Sequence, residues 1–237
     1  MTVTADLAVP DAVVRLAGDR ALELLWHNEI GGLTYQVGDD LVVKWSPSGV
    51  DLGAEAERLA WARAFLVVPE VADRGADDDG SWLVTRRLAG ENAVTPRWVA
   101  EPATAVRAVG EGLRALHDTL PVESCPYSWS VADRLTEVAD PAARHRLTDA
   151  PTIDRLVVCH GDACAPNTLI ADDGRWAAHV DLGSLGLADR WADLAVATWS
   201  TVWNYGPGWE DALLDAYGIA PDPVRTAYYR ALWEAGP

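Results

Sequence analysis

The polar loop inside residues 157–193 constrains this chain more than any other feature. Two short apolar segments flank it and are bounded by turn residues, which predicts two buried strands joined by the loop. Asp162 and Asn167 lie five residues apart on the loop, and Asp181 follows the second strand. We therefore expect three oxygen-bearing side chains to meet at one edge of the strands.

This spacing is typical of phosphoryl-transfer enzymes of the protein-kinase type. In that chemistry a carboxylate orients the acceptor hydroxyl and takes its proton, while oxygen ligands hold magnesium on the donor phosphates. We predict Asp162 as the catalytic residue, and Asn167 and Asp181 as ligands of Mg²⁺. The alternative is that the aspartates are turn and cap residues, which requires the asparagine spacing and the Asp-Leu-Gly sequence to be coincidences.

A lysine at the end of an apolar strand is the second feature. Lys44 follows Leu-Val-Val, where kinases place the lysine that contacts the α- and β-phosphates. On the next predicted helix, Glu55 projects into the apolar face and Glu57 projects nearly opposite. A carboxylate in an apolar face is costly unless it is paired. The pattern predicts a Lys44–Glu55 ion pair; the alternative is a surface lysine and a glutamate stabilised by the helix dipole.

Two further segments are candidates for nucleotide contact, one at the start of the predicted hairpin and one at the end of the strand that begins at Trp82. Gly31 and Gly32 stand where a loop would cover the phosphates, although without a GxGxxG pattern an ordinary hairpin bend is the favoured alternative. Thr85, Arg87 and Leu88 mark the hinge whose backbone would bind the base. Backbone recognition leaves little trace in a sequence, so ATP and GTP stay open as donors.

Charge narrows the class of partner. The chain has 237 residues, 49% of them apolar, and a formal net charge of −17. Binding a phosphate backbone requires a basic patch, so we expect no nucleic-acid partner. An acidic protein attracts cationic substrates, and general solubility is the alternative reason for the charge.

The cellular location follows from what the chain lacks. No apolar run approaches the length that spans a bilayer, and the first residues lack the basic start and apolar core of a signal peptide. The cysteines Cys125, Cys159 and Cys164 form no CxxC pair, and their odd number argues against a disulfide framework. We expect a cytoplasmic protein without a membrane partner. The pattern does not indicate an oligomeric state.

The spacing of apolar residues and the positions of turn residues predict the order of the helices and strands. Pro69 to Gly80 is polar and turn-rich. A hairpin spans Ile30 to Trp45, and another strand begins at Trp82. We predict helices over residues 10–26, 103–120, 130–138, 194–203, 209–217 and 224–234.

With these residues identified, the chain resembles the aminoglycoside phosphotransferase family, and within it the 3′-phosphotransferases. The motifs that carry the likeness begin at Leu113, Cys159, Asp181 and Tyr228 and read LRALHDTLPVESCPY, CHGDACAPN, DLGSLGLADRWADLA and YYRALWE. The likeness covers most of the chain. It implies an α+β, bilobal protein-kinase-like fold, with a small β-rich nucleotide-binding lobe over 1–88 and a larger, mostly helical catalytic and substrate lobe over 89–237.

The resemblance also implies roles by position. It implies magnesium-dependent transfer from a nucleoside triphosphate to a hydroxyl, with Asp162 catalytic and Lys44 on the phosphates. We take Asp189 and Asp193 as structural residues that bond backbone or the catalytic loop. His117 is expected to face the carbonyls at the end of its helix.

The departures from the family pattern concern the acceptor. Relatives that take polycationic aminoglycosides line the site with carboxylates, whereas residues 196–205 here contain no acid and the C-terminus keeps only Glu234 beside a tryptophan. Ser184 replaces an arginine that is often found there, and the segment between Cys125 and His160 is shorter than in relatives.

The same departures suggest what lines the acceptor site. Trp199 and Trp203 suggest a flatter, more apolar acceptor pocket, with helix packing as the alternative. The substrate candidates are Glu234, Trp199 and Trp203.

The sequence as a whole predicts a magnesium- and nucleotide-dependent kinase of a small hydroxylated molecule, with an aminoglycoside or a related antibiotic as acceptor. A first alternative is a kinase of the same fold that phosphorylates a less cationic metabolite or natural product, nucleoside-like or glycosylated. A second is a non-catalytic binding module on the kinase scaffold, against which the presence of all the catalytic positions argues. Whether the role is resistance or biosynthesis is left open.

Overall fold

The computed structural model describes residues 8–236, which divide into two compact units. The first unit comprises the described residues up to Trp61 together with Pro69–Leu88, and the second comprises Ala62–Val68 and the described residues from Ala89 onwards. Residues 1–7 and Pro237, which the predicted domain ranges include, lie outside the described residues. The first part of the chain is rich in strands and the second in helices, so the predicted α+β class is confirmed.

The N-terminal part of the chain is built around one antiparallel sheet of five strands in the order β1-β2-β3-β5-β4. Its elements in chain order are α1 (Asp11–Ala17), β1 (Leu22–His27), β2 (Leu33–Val37), β3 (Leu41–Pro47), α2 (Gly53–Ala62), β4 (Val71–Ala76) and β5 (Gly80–Arg86). The predicted hairpin corresponds to β2 and β3, and the strand predicted from Trp82 lies within β5.

The two faces of this sheet have different roles. Val43 is fully buried and packs in the apolar cluster that includes Val13 and Ala17 of α1. Because neighbouring side chains alternate across a strand, Lys44 points to the opposite face, where it meets Glu55 of α2. The alternation of β3 thus separates an apolar core from a polar face.

Two predictions for this region are wrong. The helix predicted over residues 10–26 ends at Ala17, since Gly18 adopts φ 58°, ψ −128°, a conformation that favours glycine, and β1 follows. The segment predicted as turns contains β4, an edge strand whose side chains are mostly exposed. Neither strand shows the alternation of a half-buried strand, because pairing with a neighbour, rather than local pattern, decides its conformation.

The C-terminal part is mostly helical, with two small antiparallel sheets in the orders β6-β8-β9 and β10-β7. Its helices are α3 (Pro96–Ala100), α4 (Pro102–Thr119), α5 (Val131–Glu137), α6 (Pro141–Arg146), α7 (Trp191–Tyr205), α8 (Glu210–Tyr217) and α9 (Pro223–Ala235); its strands are β6 (Glu91–Asn92), β7 (Leu156–Cys159), β8 (Thr168–Ile170), β9 (Trp176–His179) and β10 (Gly186–Asp189). None of the helices in residues 8–236 combines the length and apolar character needed to cross a bilayer.

Helix α4 is the centre of this second unit. One face is buried from Ala105 to His117, as the predicted amphipathic helix over 103–120 requires. Gly110 allows α8 to approach closely, because a Cβ atom at this position would lie 2.6 Å from the carbonyl oxygen of Leu213. The glycine thus sets the distance between two helices of the core.

Replacing Gly110 with alanine tests this packing. In an open helix the change would stabilise by about 1 kcal/mol, but here the added methyl group meets the backbone of α8, so we expect the free energy of unfolding to fall by about 1–3 kcal/mol. Urea unfolding measures it. Ala115→Gly, at a half-exposed position of the same helix, isolates the propensity effect. A Gly110→Ala protein as stable as the wild type would contradict the close approach.

Candidate active site

The loop after β7 brings Asp162 and Asn167 into contact. A 3₁₀ turn at Ala165–Asn167 reverses the chain before β8. The Nδ2 atom of Asn167 donates to the Oδ2 atom of Asp162 at 3.0 Å and to its backbone oxygen at 2.9 Å. A backbone carbonyl only accepts hydrogen bonds, so the amide nitrogen must face it and the Oδ1 atom of Asn167 faces away. This orientation leaves an amide oxygen for a cation.

A backbone hydrogen bond holds Asp181 beside Asn167. The N–H of Val180 donates to the carbonyl oxygen of Asn167 at 3.0 Å, and Asp181 is the next residue. Asp181 has φ 61°, the single positive φ of a non-glycine residue within residues 8–236. Such a conformation costs about 1 kcal/mol or more and is concentrated at functional sites. An amide oxygen and a carboxylate suit the hard Mg²⁺ ion, so the residues fit the predicted metal.

Gly161 allows the catalytic loop to lie against the loop that follows Asp181. Its φ is +85°, and a Cβ atom built on it would lie 2.2 Å from the carbonyl oxygen of Ser184. A side chain is therefore excluded at this position by both conformation and space. The glycine between His160 and Asp162 has a physical reason independent of any motif.

The imidazole of His160 ties the same two segments together. Its Nδ1 atom accepts the N–H of Asp162 at 3.3 Å, and its Nε2 atom lies 3.0 Å from the carbonyl oxygen of Val180. A carbonyl only accepts, so Nε2 carries the proton and the ring is neutral in this arrangement. His160 is fully buried. It therefore positions the loop that carries Asp162.

Asp193, at the start of α7, holds the backbone of the catalytic loop. Its carboxylate accepts the N–H groups of His160 and Gly161 at 2.6 and 2.9 Å and the Nε2 atom of His117 at 2.9 Å. Burial alone raises the pKa of Asp193, but the hydrogen bond and charge of His117, with the Gly161 N–H, hold the pKa below its ordinary value. The predicted structural role of Asp193 is confirmed.

The expectation for His117 is wrong. Its side chain does not face the helix-terminal carbonyls; it is buried between Asp193 and the hydroxyl of Tyr217, which lies 2.9 Å from its Nδ1 atom. The partners are 76 and 100 residues away in the sequence, so helix-end reasoning could not identify them.

Asp189 is also structural, as predicted. Its two oxygens accept the backbone N–H groups of Asp154 at 2.7 Å and Trp191 at 3.0 Å. Burial raises the pKa of Asp189, and the two backbone hydrogen bonds oppose that effect only in part. Two buried carboxylates four residues apart therefore have pKa shifts of opposite sign.

The ion pair predicted in the first unit is present. The Nζ atom of Lys44 lies 2.7 Å from the Oε2 atom of Glu55, whose side chain is 8% exposed. Glu57 is exposed, and the surface residue Arg74 lies 4.0 Å from its carboxylate. Burial therefore selects Glu55 as the partner, as helical geometry predicts. Contact of Lys44 with nucleotide phosphates stays a prediction.

The bend at Gly31 and Gly32 is closed by a residue that the sequence analysis did not identify. The N–H of Gly32 donates to the Oδ1 atom of Asn28 at 2.6 Å, and Gly31 has φ +86°. An asparagine that precedes a glycine pair in a turn is a usable signal. The bend has the geometry of a tight turn, and its role over phosphates stays a prediction.

The hinge candidates occupy the end of the first unit. Thr85 lies in β5, and Leu88 is the last residue of the unit. The N–H of Arg87 donates to the carbonyl oxygen of Asp40 at 2.8 Å. This amide is thus engaged within the unit, and the predicted base contact at Arg87 would need another of its groups.

The tryptophans predicted for the acceptor site form a cluster with a third. The ring of Trp203 lies 4.9 Å from that of Trp199 and 6.0 Å from that of Trp233. Trp203 is 50% exposed, and the guanidinium of Arg230 lies over Trp199 at 5.6 Å. Glu234, the remaining candidate, is exposed beside Trp233. We name Trp199, Trp203 and Trp233 the tryptophan cluster.

Comparison with known proteins places this site in a family. The model of the phosphotransferase enzyme family matches residues 28–229. The chain belongs to the phosphotransferase enzyme family. This phosphotransferase is 33% identical to an aminoglycoside 3′-phosphotransferase of Streptomyces fradiae over 88% of its own length and 94% of the relative's.

Solved structures support the same assignment. The crystal structure of a type VIII aminoglycoside 3′-phosphotransferase is 29% identical, with a TM-score of 0.76 over 95% of this chain and 98% of the other. The 3″-phosphotransferase Id of Streptomyces rimosus, in complex with ADP and streptomycin, is 26% identical, with a TM-score of 0.71 over 93% and 94% of the two chains. The predicted kinase-like fold is confirmed, and the protein is a phosphotransferase with an alcohol group as acceptor.

The opposite pKa shifts of Asp193 and Asp189 lead to a matched pair of predictions. At neutral pH, Asp193→Asn should lower the free energy of unfolding by about 3 kcal/mol, because an amide presents N–H groups to N–H donors and the charge facing His117 is lost. Asp189→Asn should cost roughly half of that or less, because ionised Asp189 is itself disfavoured by burial. Urea unfolding at neutral pH measures both.

Asp193 and Asp189 should make contributions to the free energy of unfolding that change in opposite directions with pH. The contribution of Asp193 is present above its unfolded pKa of 3.8 and is lost as the pH falls through its lower native pKa. The contribution of Asp189, whose native pKa is raised, is present at acid pH and lost as the pH rises through that pKa. Acid should therefore destabilise Asp193→Asn less than the wild type and Asp189→Asn more. Parallel pH profiles for all three proteins would contradict the assignment.

Proposed function

We propose that this phosphotransferase transfers the γ-phosphoryl group of a nucleoside triphosphate to a hydroxyl of an aminoglycoside or a related antibiotic, and so confers resistance. The observation that carries the proposal is the Asp162 carboxylate, held by the Asn167 amide on a loop braced by Asp193. Support comes from a 3′-phosphotransferase at 33% identity and from a structural relative bound to ADP and streptomycin.

Each side chain has a defined part in this proposal. Asp162 orients the acceptor hydroxyl for in-line attack on the γ-phosphorus and receives its proton as the new P–O bond forms. The bond from the γ-phosphorus to the bridging oxygen breaks, and the nucleoside diphosphate leaves. The Oδ1 atom of Asn167 and the carboxylate of Asp181 would hold Mg²⁺, which supplies positive charge to the phosphate oxygens. Lys44, kept extended by Glu55, contacts the donor phosphates. The reaction then depends on position and charge rather than on a covalent intermediate.

The remaining assignments are part of the same proposal. ADP in the relative's structure favours ATP over GTP as donor. Residues 1–88 would form the nucleotide-binding lobe, with Gly31, Gly32 and the segment Thr85 to Leu88 at the nucleotide, and residues 89–237 the acceptor lobe. Three free cysteines fit the reducing cytoplasm, where the substrates are a small molecule and a nucleotide rather than nucleic acid or membrane.

Asp162→Asn tests the catalytic role. The variant keeps the size of the side chain but cannot accept the hydroxyl proton, so turnover should fall by at least about 100-fold while binding of the magnesium nucleotide is retained. Coupled nucleotide turnover and nucleotide titration measure the two quantities. Asp172→Asn, on an exposed loop, is the matched control. Wild-type turnover in Asp162→Asn would refute the assignment.

A less cationic acceptor is the second candidate function, and the tryptophan cluster is the observation that favours it. An exposed aromatic face suits a sugar or nucleoside ring, and α7 ends in Trp203-Asn-Tyr205 without an acid. Each ammonium group that enters a site needs a carboxylate to replace its hydration. Glu234, which is exposed and follows Trp233, is an acid next to the cluster.

Two variants distinguish the acceptor classes. With aminoglycosides, Glu234→Gln should raise the acceptor KM by about 2–5-fold through loss of one charge, and leave it unchanged with neutral glycosides and nucleosides. Trp203→Ala should raise the acceptor KM by about 3–10-fold for any ring that stacks. The nucleotide KM is the internal control. Turnover confined to neutral acceptors, insensitive to Glu234→Gln, would replace the first function with the second.

A further inference from the structure

Cys164 lies on the catalytic loop between Asp162 and Asn167, and its side chain contacts the catalytic carboxylate. The Sγ atom of Cys164 lies 3.2 Å from the Oδ1 atom of Asp162. An ionised carboxylate only accepts hydrogen bonds, so the thiol donates. A hydrogen bond to a charged acceptor is stronger than one between neutral groups, which compensates for the weak S–H donor.

The surroundings keep the thiol in its donating form. Burial, followed by the negative charge and hydrogen bond of Asp162 and the charge of Asp181, raises the pKa of Cys164 well above its usual range. The proton therefore stays on sulfur near neutral pH. The short distance and the raised pKa of the thiol both indicate that Cys164 donates its proton to the carboxylate of Asp162.

A second layer of hydrogen bonds positions the thiol from α7. Ser200 is fully buried, and its Oγ atom accepts the N–H of Ala165 at 2.9 Å and the Nδ2 atom of Asn204 at 3.1 Å. Ala165 directly follows Cys164, so these bonds fix the backbone beside the thiol. Asn204 and Ser200 thus hold the part of the loop whose thiol contacts Asp162.

The two oxygens of Asp162 are consequently held from different sides. Asn167 donates to Oδ2, and Cys164 donates to Oδ1. Asn167 is also the predicted magnesium ligand, whereas Cys164 has no part in holding the metal. The thiol is therefore the contact that fixes the carboxylate plane from the α7 side of the loop.

We propose that Cys164 is a positioning residue for phosphoryl transfer: its S–H, on a loop segment that Ser200 holds at Ala165, sets the rotation of the Asp162 carboxylate toward the acceptor hydroxyl. This inference rests on the proposed catalytic role of Asp162. In this proposal Cys164 acts as a hydrogen-bond donor and not as a nucleophile. The consequence is that a hydroxyl at this position is an adequate replacement and a methyl group is not.

Kinetics of three variants test the proposal. Cys164→Ala should lower kcat by about 10-fold with both KM values within about 2-fold of the wild type, because the ground-state contacts are unchanged and only the orientation of the base is lost. Cys164→Ser keeps a donor and should restore kcat to within about 3-fold of the wild type. Cys125→Ala, at a cysteine that donates to Tyr127, is the matched control and should retain full activity.

An infrared measurement tests the bond without activity. The S–H stretch of Cys164, assigned by its loss in Cys164→Ser, should lie at lower wavenumber than that of a free thiol and move up in Asp162→Ala. Thermal unfolding establishes that each variant is folded. The infrared measurement separates the proposed function from the proposed role of Cys164. A wild-type protein without turnover on any acceptor would refute the function, while the S–H stretch would still report the contact between Cys164 and Asp162.

Two results would overturn the role of Cys164. One is a wild-type kcat in Cys164→Ala together with an S–H band that Asp162→Ala does not move. The other is an equal loss of kcat in Cys164→Ala and Cys164→Ser, which would assign the effect to the volume of the sulfur atom. Rescue by serine together with the band shift supports the proposal.

Discussion

The loop that carries Asp162 depends on the hydrogen bonds accepted by the buried carboxylate of Asp193. An isolated charge inside a protein is strongly destabilising, so its position is tolerated only because two backbone N–H groups and an imidazole point at it. Those donors belong to His160, Gly161 and His117, and two of them are consecutive residues of the catalytic loop. The desolvation of one carboxylate thus fixes the loop that carries Asp162 to α4 and α7.

From this anchor, backbone contacts build the rest of the site. The neutral ring of His160 joins the amide of Asp162 to the carbonyl of Val180, and the backbone of Asn167 accepts the amide of Val180. These groups satisfy one another, so the contacts between them form without a ligand. Preorganised donors and acceptors of this kind suit a reaction that is accelerated by positioning and charge.

The residues proposed for acceptor recognition differ from those that hold the loop of Asp162. Asp189 and Asp193 are engaged in internal hydrogen bonds, so these two acids are not available to a cationic ligand. The surface formed by the tryptophan cluster is aromatic, with Glu234 at its edge. The family assignment therefore constrains the reaction more tightly than it constrains the molecule that is phosphorylated.

Local pattern determined those features whose partners are close in the sequence or share one element: the Asp162–Asn167 contact, five residues apart, the amphipathic helix α4, and the choice of Glu55 over Glu57 by helical rotation. The tertiary structure alone decided that residues 22–27 form a strand, that His117 pairs with Asp193, and that Ser200 holds the backbone of Ala165 beside Cys164. These contacts join segments separated by tens of residues, and their energy comes from burial and from satisfying buried polar groups. Spacing along the chain contains no information on either, because both depend on which surfaces meet after folding.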